Sequence, residues 1–313
     1  MNRLCINRDK AKKTAELYYI QGMSKTKIAE QEHMTRQTVC ETLDYAVSAG
    51  IVKIRVGQNE EELWFKEQWL KRFFGLHECY ITRAVYEREQ TENAIVQAVV
   101  EHFNEGRLSG TVLGIDGLEI TDRFVDAFLH KSKRPGYLVQ VTGRQDPVER
   151  TRRTKTENKT DIVKIPYQLE VDSMEDLAVY YQSSLMKRVC NLWKQLDAVI
   201  FSVDRCREPF RQYLGDRECL EQIDHLKENR HESVGSFLGR CVDIEGNIVD
   251  RERNSRVLSI DLEMLSTVKH RILLAHEEHN IFSVTGILRT GTVTDLYTDE
   301  RTADLLMKIS ALV

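Results

Sequence analysis

Residues 11–56 read AKKTAELYYIQGMSKTKIAEQEHMTRQTVCETLDYAVSAGIVKIRV, three helical segments followed by one alternating segment. Ala11–Gln21 is helical in pattern and stops at Gly22, a residue suited to the left-handed conformation that ends a helix. Ser24 caps a short second helix, Lys25–Gln31, whose apolar residues Ile28 and Ala29 face one side. His33 and Met34 make a tight connection to Thr35, the cap of a third helix over Arg36–Ser48. Ala49-Gly50 ends that helix, and Ile51 to Val56 alternates apolar and basic residues like one strand of a wing. The pattern predicts a winged helix-turn-helix, in which the N-terminal turn of the third helix enters the major groove of double-stranded DNA. That turn carries Thr35, Arg36, Gln37 and Thr38, side chains able to reach base edges and phosphates. Ser24, Lys25, Lys53 and Arg55 complete the candidate DNA contacts, the three cations as phosphate ligands. A three-helix bundle with no nucleic-acid role, or one that meets a protein partner, has the same pattern.

Charge separates these readings in part. Residues 1–56 hold 10 Lys/Arg against 6 Asp/Glu, whereas the remainder holds 35 against 43. A basic arm on an acidic body is the electrostatic footprint of a phosphate-seeking module, although Glu41 near the reading face works against it.

At 313 residues the chain is long enough for a small module plus a larger body. With 41% hydrophobic and 30% charged residues it falls outside the disordered and fibrous classes. No apolar run reaches the roughly 18 residues that span a bilayer, and the N-terminus lacks a signal-peptide core, so a cytoplasmic protein without membrane contact is expected. The seven cysteines include no C-x-x-C pair, which fits a reducing compartment and gives no zinc signature. No cofactor motif is present.

Beyond the wing, Glu60–Phe74 is an amphipathic helix rich in aromatics and closed by Gly75. It is either a linker that packs on a second subunit or a cap on the body. From there on, strand patterns (78–82, 111–115, 137–141, 162–165, 198–203, 271–274, 293–297) alternate with helical ones (91–103, 119–129, 174–196, 216–229, 277–289, 300–309). The alternation predicts an α/β body on a largely parallel sheet, with ligands at the carboxyl ends of its strands. The expected organisation is a DNA-binding domain over 1–56, a linker helix over 57–76 and an effector and oligomerisation domain over 77–313.

The chain resembles the sorbitol-operon-regulator (SorC) family of bacterial transcription factors over nearly its whole length. The resemblance is carried by Gly22-Met23-Ser24, Thr35-Arg36-Gln37-Thr38-Val39 and Ala49-Gly50-Ile51-Val52, then by Val139-Gln140-Val141-Thr142-Gly143 and Asp197-Ala198-Val199-Ile200. It continues with Leu238-Gly239-Arg240, Asp243-Ile244-Glu245-Gly246, Leu288-Arg289-Thr290-Gly291 and Thr298-Asp299-Glu300-Arg301-Thr302-Ala303. It implies a winged helix-turn-helix joined to a Rossmann-like sugar-binding domain of the sugar-phosphate isomerase type. It also implies a homodimer or homotetramer whose operator binding is switched by a phosphorylated sugar.

The departures from that pattern concern the effector pocket. Where the family has a Gly-rich, Ser/Thr-bearing turn, this chain has Asp116-Gly117-Leu118-Glu119. Where it has Gly-Ile-Gly, this chain has Ser202-Val203-Asp204, and where it has a lysine, this chain has Asn280. Carboxylates at a phosphate site repel the anion that backbone N–H groups would hold. A basic cluster after Gly143, beginning at Arg144, is either solvated or a source of replacement cations. Asp116, Gly117, Glu119, Arg144, Asp204 and Asn280 are the candidate effector contacts. The ligand expected there is a sugar, a polyol or a sugar phosphate, and a closed pocket is the alternative. His276 and His279 share a helix face but lack a third metal ligand in the sequence. An isomerase-like enzyme is the reading from a different class, and it would need a positioned base with a cationic phosphate clamp.

Overall fold

The computed structural model describes residues 8–20, 22–49, 51–52, 60–83, 87–106, 111–131, 136–144, 160–203, 223–276 and 281–310. The chain divides into two compact units, residues 1–60 and 61–313.

In the first unit, helix α1 (Arg8–Ala15) continues into a wider π turn, Glu16–Ile20, where the sequence pattern predicts regular α-helix. Gly22 then takes φ +66°, the left-handed value expected of it. Helix α2 (Lys25–Gln31) starts on Ser24, whose hydroxyl accepts from the Lys27 N–H at 3.3 Å. Helix α3 (Arg36–Ser48) starts on Thr35, whose hydroxyl accepts from the Thr38 N–H at 3.1 Å. Between them His33 turns the chain with φ 51°, and the Met34 N–H returns to the Ala29 carbonyl. Ala11, Ala15, Leu17, Ile28, Val39, Leu43 and Ala46 form a common core. Ile51 and Val52 are bends whose N–H groups bond to the Ala46 carbonyl, so the alternating segment does not begin as a strand there. Its continuation, with Lys53 and Arg55, lies outside the described residues.

The second unit is a three-layer α/β domain. Its strands are β1 (Glu78–Thr82), β2 (Val112–Ile115), β3 (Tyr137–Gln140), β4 (Asp161–Val163), β5 (Ala198–Ser202), β8 (His270–Ala275) and β9 (Asp295–Asp299), with β6 (Gly235–Phe237) and β7 (Arg240–Val242) in a separate hairpin. The seven-stranded sheet runs in the order β1-β9-β8-β5-β2-β3-β4, and all its pairings are parallel. Parallel strands covered on both faces are apolar throughout, and β5 illustrates it with every residue buried. Ala198 and Ile200 join the core beneath helices α5 (Arg88–Asn104) and α6 (Glu119–Lys131), together with Val99, Phe103, Phe124 and Phe128. Val199 and Phe201 point the other way, into a core shared with helices α4 (Glu60–Phe74), Ile281–Arg289 and Glu300–Ser310.

Helix α4 belongs to this domain instead of standing apart as a linker. Leu70 and Phe74 are core residues, and the Lys66 ammonium is held by Glu62, Glu300 and Asp304 at 3.2, 3.2 and 2.7 Å. Trp64, Phe65 and Phe73 remain exposed.

Two further differences from the sequence reading have local causes. The single helix expected over 174–196 is two, α7 (Met174–Gln182) and α8 (Ser184–Trp193). Ser183 breaks it by donating to the Tyr180 carbonyl and accepting from the Met186 N–H, so one hydroxyl closes one helix and caps the next. The β6–β7 hairpin was not anticipated; its turn is Leu238-Gly239, both with positive φ, the two-residue geometry that matches strand twist.

Candidate functional site

The exposed face of the first unit is built by the start of α3. Arg36 and Gln37 are exposed, Thr35 is exposed and Thr38 half-buried. The Thr35 and Thr38 hydroxyls bond to each other at 2.8 Å, so both are oriented by the cap before any partner arrives. Gln37 donates to Glu41 at 3.1 Å, one turn along the helix, which satisfies part of the unfavourable carboxylate. Among the described residues Arg36 has no ion-pair partner, and its guanidinium stands at the helix start. The Lys25 ammonium lies 5.4 Å from the centre of the Tyr18 ring, which fixes the position of its charge.

In the second unit, strand order fixes where a ligand would sit. From β2 the chain winds outward through β3 to β4, then returns to β5 and winds the opposite way through β8 and β9. The crevice of a doubly wound sheet opens where neighbouring strands leave in opposite directions, here between β2 and β5. Asp116 follows β2 directly and is buried. One carboxylate oxygen accepts from the Leu118 N–H at 3.1 Å and from the Thr121 hydroxyl at 2.5 Å. The other accepts from the Ser202 N–H, at the end of β5, at 2.7 Å. The Asp116 carbonyl takes the Thr142 hydroxyl at 2.8 Å, which links the same turn to the segment after β3.

Gly117 makes this turn with φ +78°, where a Cβ would meet the Gln140 side-chain nitrogen at 2.9 Å. Gln140 is itself held, since its side-chain oxygen accepts from the Ile165 N–H at 2.6 Å. Glu119 is not brought to this cluster. It is exposed at the first turn of α6 and pairs with Arg88 and Arg123 at 3.9 and 3.5 Å. Arg144 lies in a β-bridge to Gln168, and Asp204 and Asn280 lie outside the described residues.

The sequence reading missed the partners. Thr121 and the Ser202 N–H complete the coordination of Asp116, and the only local signal was an aspartate followed five residues later by a threonine across a strand-to-helix turn. It also missed Arg240, whose guanidinium donates to the Ser259 hydroxyl at 3.0 Å. Burial pushes this guanidinium below its ordinary range, and Asp261 and Tyr181 offset part of that. Ser259 bridges to Thr142, so a chain of contacts runs from Arg240 to the Asp116 turn.

A second ionic cluster lies on the α5–α6 side. The buried Glu92 carboxylate holds Arg88 and Arg123 at 2.8 Å each and His276, which follows β8, at 3.2 Å. His276 is therefore engaged with α5, and His279 lies outside the described residues. Among the described residues no group of three or more His, Cys, Asp or Glu could hold a metal ion. No helix among them is long and apolar enough to cross a membrane.

Comparison with known proteins places this architecture. Residues 58–308 match the family described as "Putative sugar-binding domain". The chain is 24% identical to the sorbitol operon regulator of Klebsiella pneumoniae over 316 aligned residues, spanning 95% of this chain and 96% of that protein. It is 22% identical to the deoxyribonucleoside regulator of Bacillus subtilis, spanning 94% and 95%. The crystal structure of the full-length Klebsiella regulator aligns with 98% of this chain and all of that one, at a TM-score of 0.65. The chain belongs to the sugar-binding-domain family, and its similarity to the sorbitol operon regulator extends over nearly its whole length.

Proposed function

We propose that this protein regulates a sugar or polyol utilisation operon by binding double-stranded operator DNA through its first unit, under the control of a ligand in its second. The observation that carries the reading is the start of α3, where Thr35, Arg36, Gln37 and Thr38 form an exposed polar turn oriented by its own cap. In this reading the unit is a winged helix-turn-helix. Arg36 reads a base edge, and Ser24, Lys25, Lys53 and Arg55 hold the module on phosphates. Two or four copies present paired reading helices at fixed spacing, and the exposed aromatics of α4 offer a surface for the pairing. The regulator names of the relatives support a non-catalytic role.

The test is operator binding by fluorescence anisotropy. Arg36→Ala should weaken specific binding by about 1–3 kcal/mol if Arg36 makes a bidentate base contact. An unchanged operator affinity would remove Arg36 from the reading face. A second reading, a regulator whose pocket needs no sugar effector, is favoured by Asp116, which already occupies the donors of the crevice.

A further inference from the structure

The switch-point crevice and the Asp116 carboxylate have to be considered together. Two backbone N–H groups and one hydroxyl converge there from three places in the chain: Leu118 in the turn after β2, Thr121 in the first turn of α6, and Ser202 at the end of β5. Such a convergence of N–H donors at a helix start is how α/β sheets hold anionic groups of ligands. Here the acceptor is already in place and is part of the chain. Asp299, after β9, makes a useful contrast. Its carboxylate also caps a helix, but its bonds to Arg301, Thr302 and the Thr302 hydroxyl are all local. Asp116 instead reaches across to the neighbouring strand, 86 residues away, at the point where, among the described strands, the sheet reverses its winding.

We propose that Asp116 is a tethered anion that fills the cradle at the β2–β5 switch point, so the domain takes no phosphate group there. A charged acceptor bonded to several donors is strong, and a carboxylate fixed by the chain competes at high effective concentration. A free phosphate would have to displace it and would then share a buried space with its negative charge. Asp116 is thus a specificity-determining residue. A ligand bound at this crevice presents hydroxyl or other uncharged groups to the Asp116 turn, and the Ser202 N–H and Thr121 hydroxyl stay with the protein. The inference concerns the second unit alone and holds whether or not the first unit binds DNA.

Thermal unfolding of the full chain in inorganic phosphate tests it, with sodium chloride of equal ionic strength as the control. The native protein should show no phosphate-specific shift. Asp116→Ser removes the carboxylate and keeps a small hydroxyl, which frees the Leu118 and Ser202 N–H groups. This variant should melt lower in chloride and regain about 3–6 °C at phosphate roughly tenfold above Kd. A variant that folds but gains no phosphate response overturns the proposal. Should the variant fail to fold, the native protein still decides, through the amide resonances of Leu118 and Ser202 during a phosphate titration. Unmoved resonances support the filled cradle, and saturable shifts at those two amides overturn it.

Discussion

Tyr181 and Arg240 are tuned by burial more than by charge. The Tyr181 phenol donates to the Ser259 carbonyl at 3.3 Å, and burial is the main reason its pKa is pushed up to about 12 from an ordinary 10.0. Nearby Cys190 and Asp261 push in the same direction, and Arg240 opposes them. Because the folded value lies above the unfolded one, the folded protein holds this proton more tightly. The stability that results is complete below pH 10 and is lost as pH rises towards 12. Tyr181→Phe should therefore flatten the decline of unfolding free energy between those two values. Denaturant melts across that range check it, and an unchanged slope would assign the alkaline loss to other groups. At neutral pH the same change removes one hydrogen bond, a cost of about 1 kcal/mol.

Elements in this protein are joined by few but specific ionic anchors. Helix α4 has an apolar seam on the core and a single buried cation, Lys66. Burial alone would lower the pKa of that ammonium, but the hydrogen bonds it donates to Asp304, Glu300 and Glu62 outweigh it and raise the value. Two of these three carboxylates come from the C-terminal helix Glu300–Ser310, so Lys66 ties the first helix of the domain to its last. Lys66→Met keeps the stem and removes the charge. It should cost about 1–3 kcal/mol, because the partly buried Glu300 loses its partner while Glu62 and Asp304 are solvated. Urea unfolding would show the loss, and native stability in that variant would mean that the apolar seam alone holds α4.

Across the whole molecule, charge is arranged by unit: a net of +4 over residues 1–56 and −8 over the remainder, from 10 Lys/Arg against 6 Asp/Glu and 35 against 43. In the proposed reading, the opposite net charges would favour approach of DNA to the first unit over the second. Operator affinity should fall steeply with salt, and Lys53→Ala should lower the slope of log K against log salt by about one per protein copy in contact with DNA. A binding constant insensitive to salt would point to a protein partner for the first unit.

Local chemistry made much of this architecture legible. Ser24 and Thr35 cap helices because each is itself extended and its short hydroxyl reaches a free N–H of the first turn. The strand patterns at 78–82 and 198–203 match β1 and β5 closely: β5 is buried on both faces and nearly all apolar, whereas β1, at the sheet edge, alternates buried Cys79 and Ile81 with more exposed neighbours. The break at Ser183 and the hairpin at Leu238-Gly239 escaped notice, since each depends on one residue leaving an otherwise acceptable pattern. The candidate effector residues were legible as residue types but not as an arrangement. By itself the sequence determined most strands of the main sheet, most of the longer helices, the α/β class and the carboxylate at position 116. Only the tertiary structure decided that this carboxylate is consumed by Ser202 and Thr121 while Glu119, three residues on, turns outward to Arg88 and Arg123. The physical reason is that helix and strand propensities act over a few residues, whereas strand order is set by collective burial of the whole sheet, and only that order brings β5 beside β2.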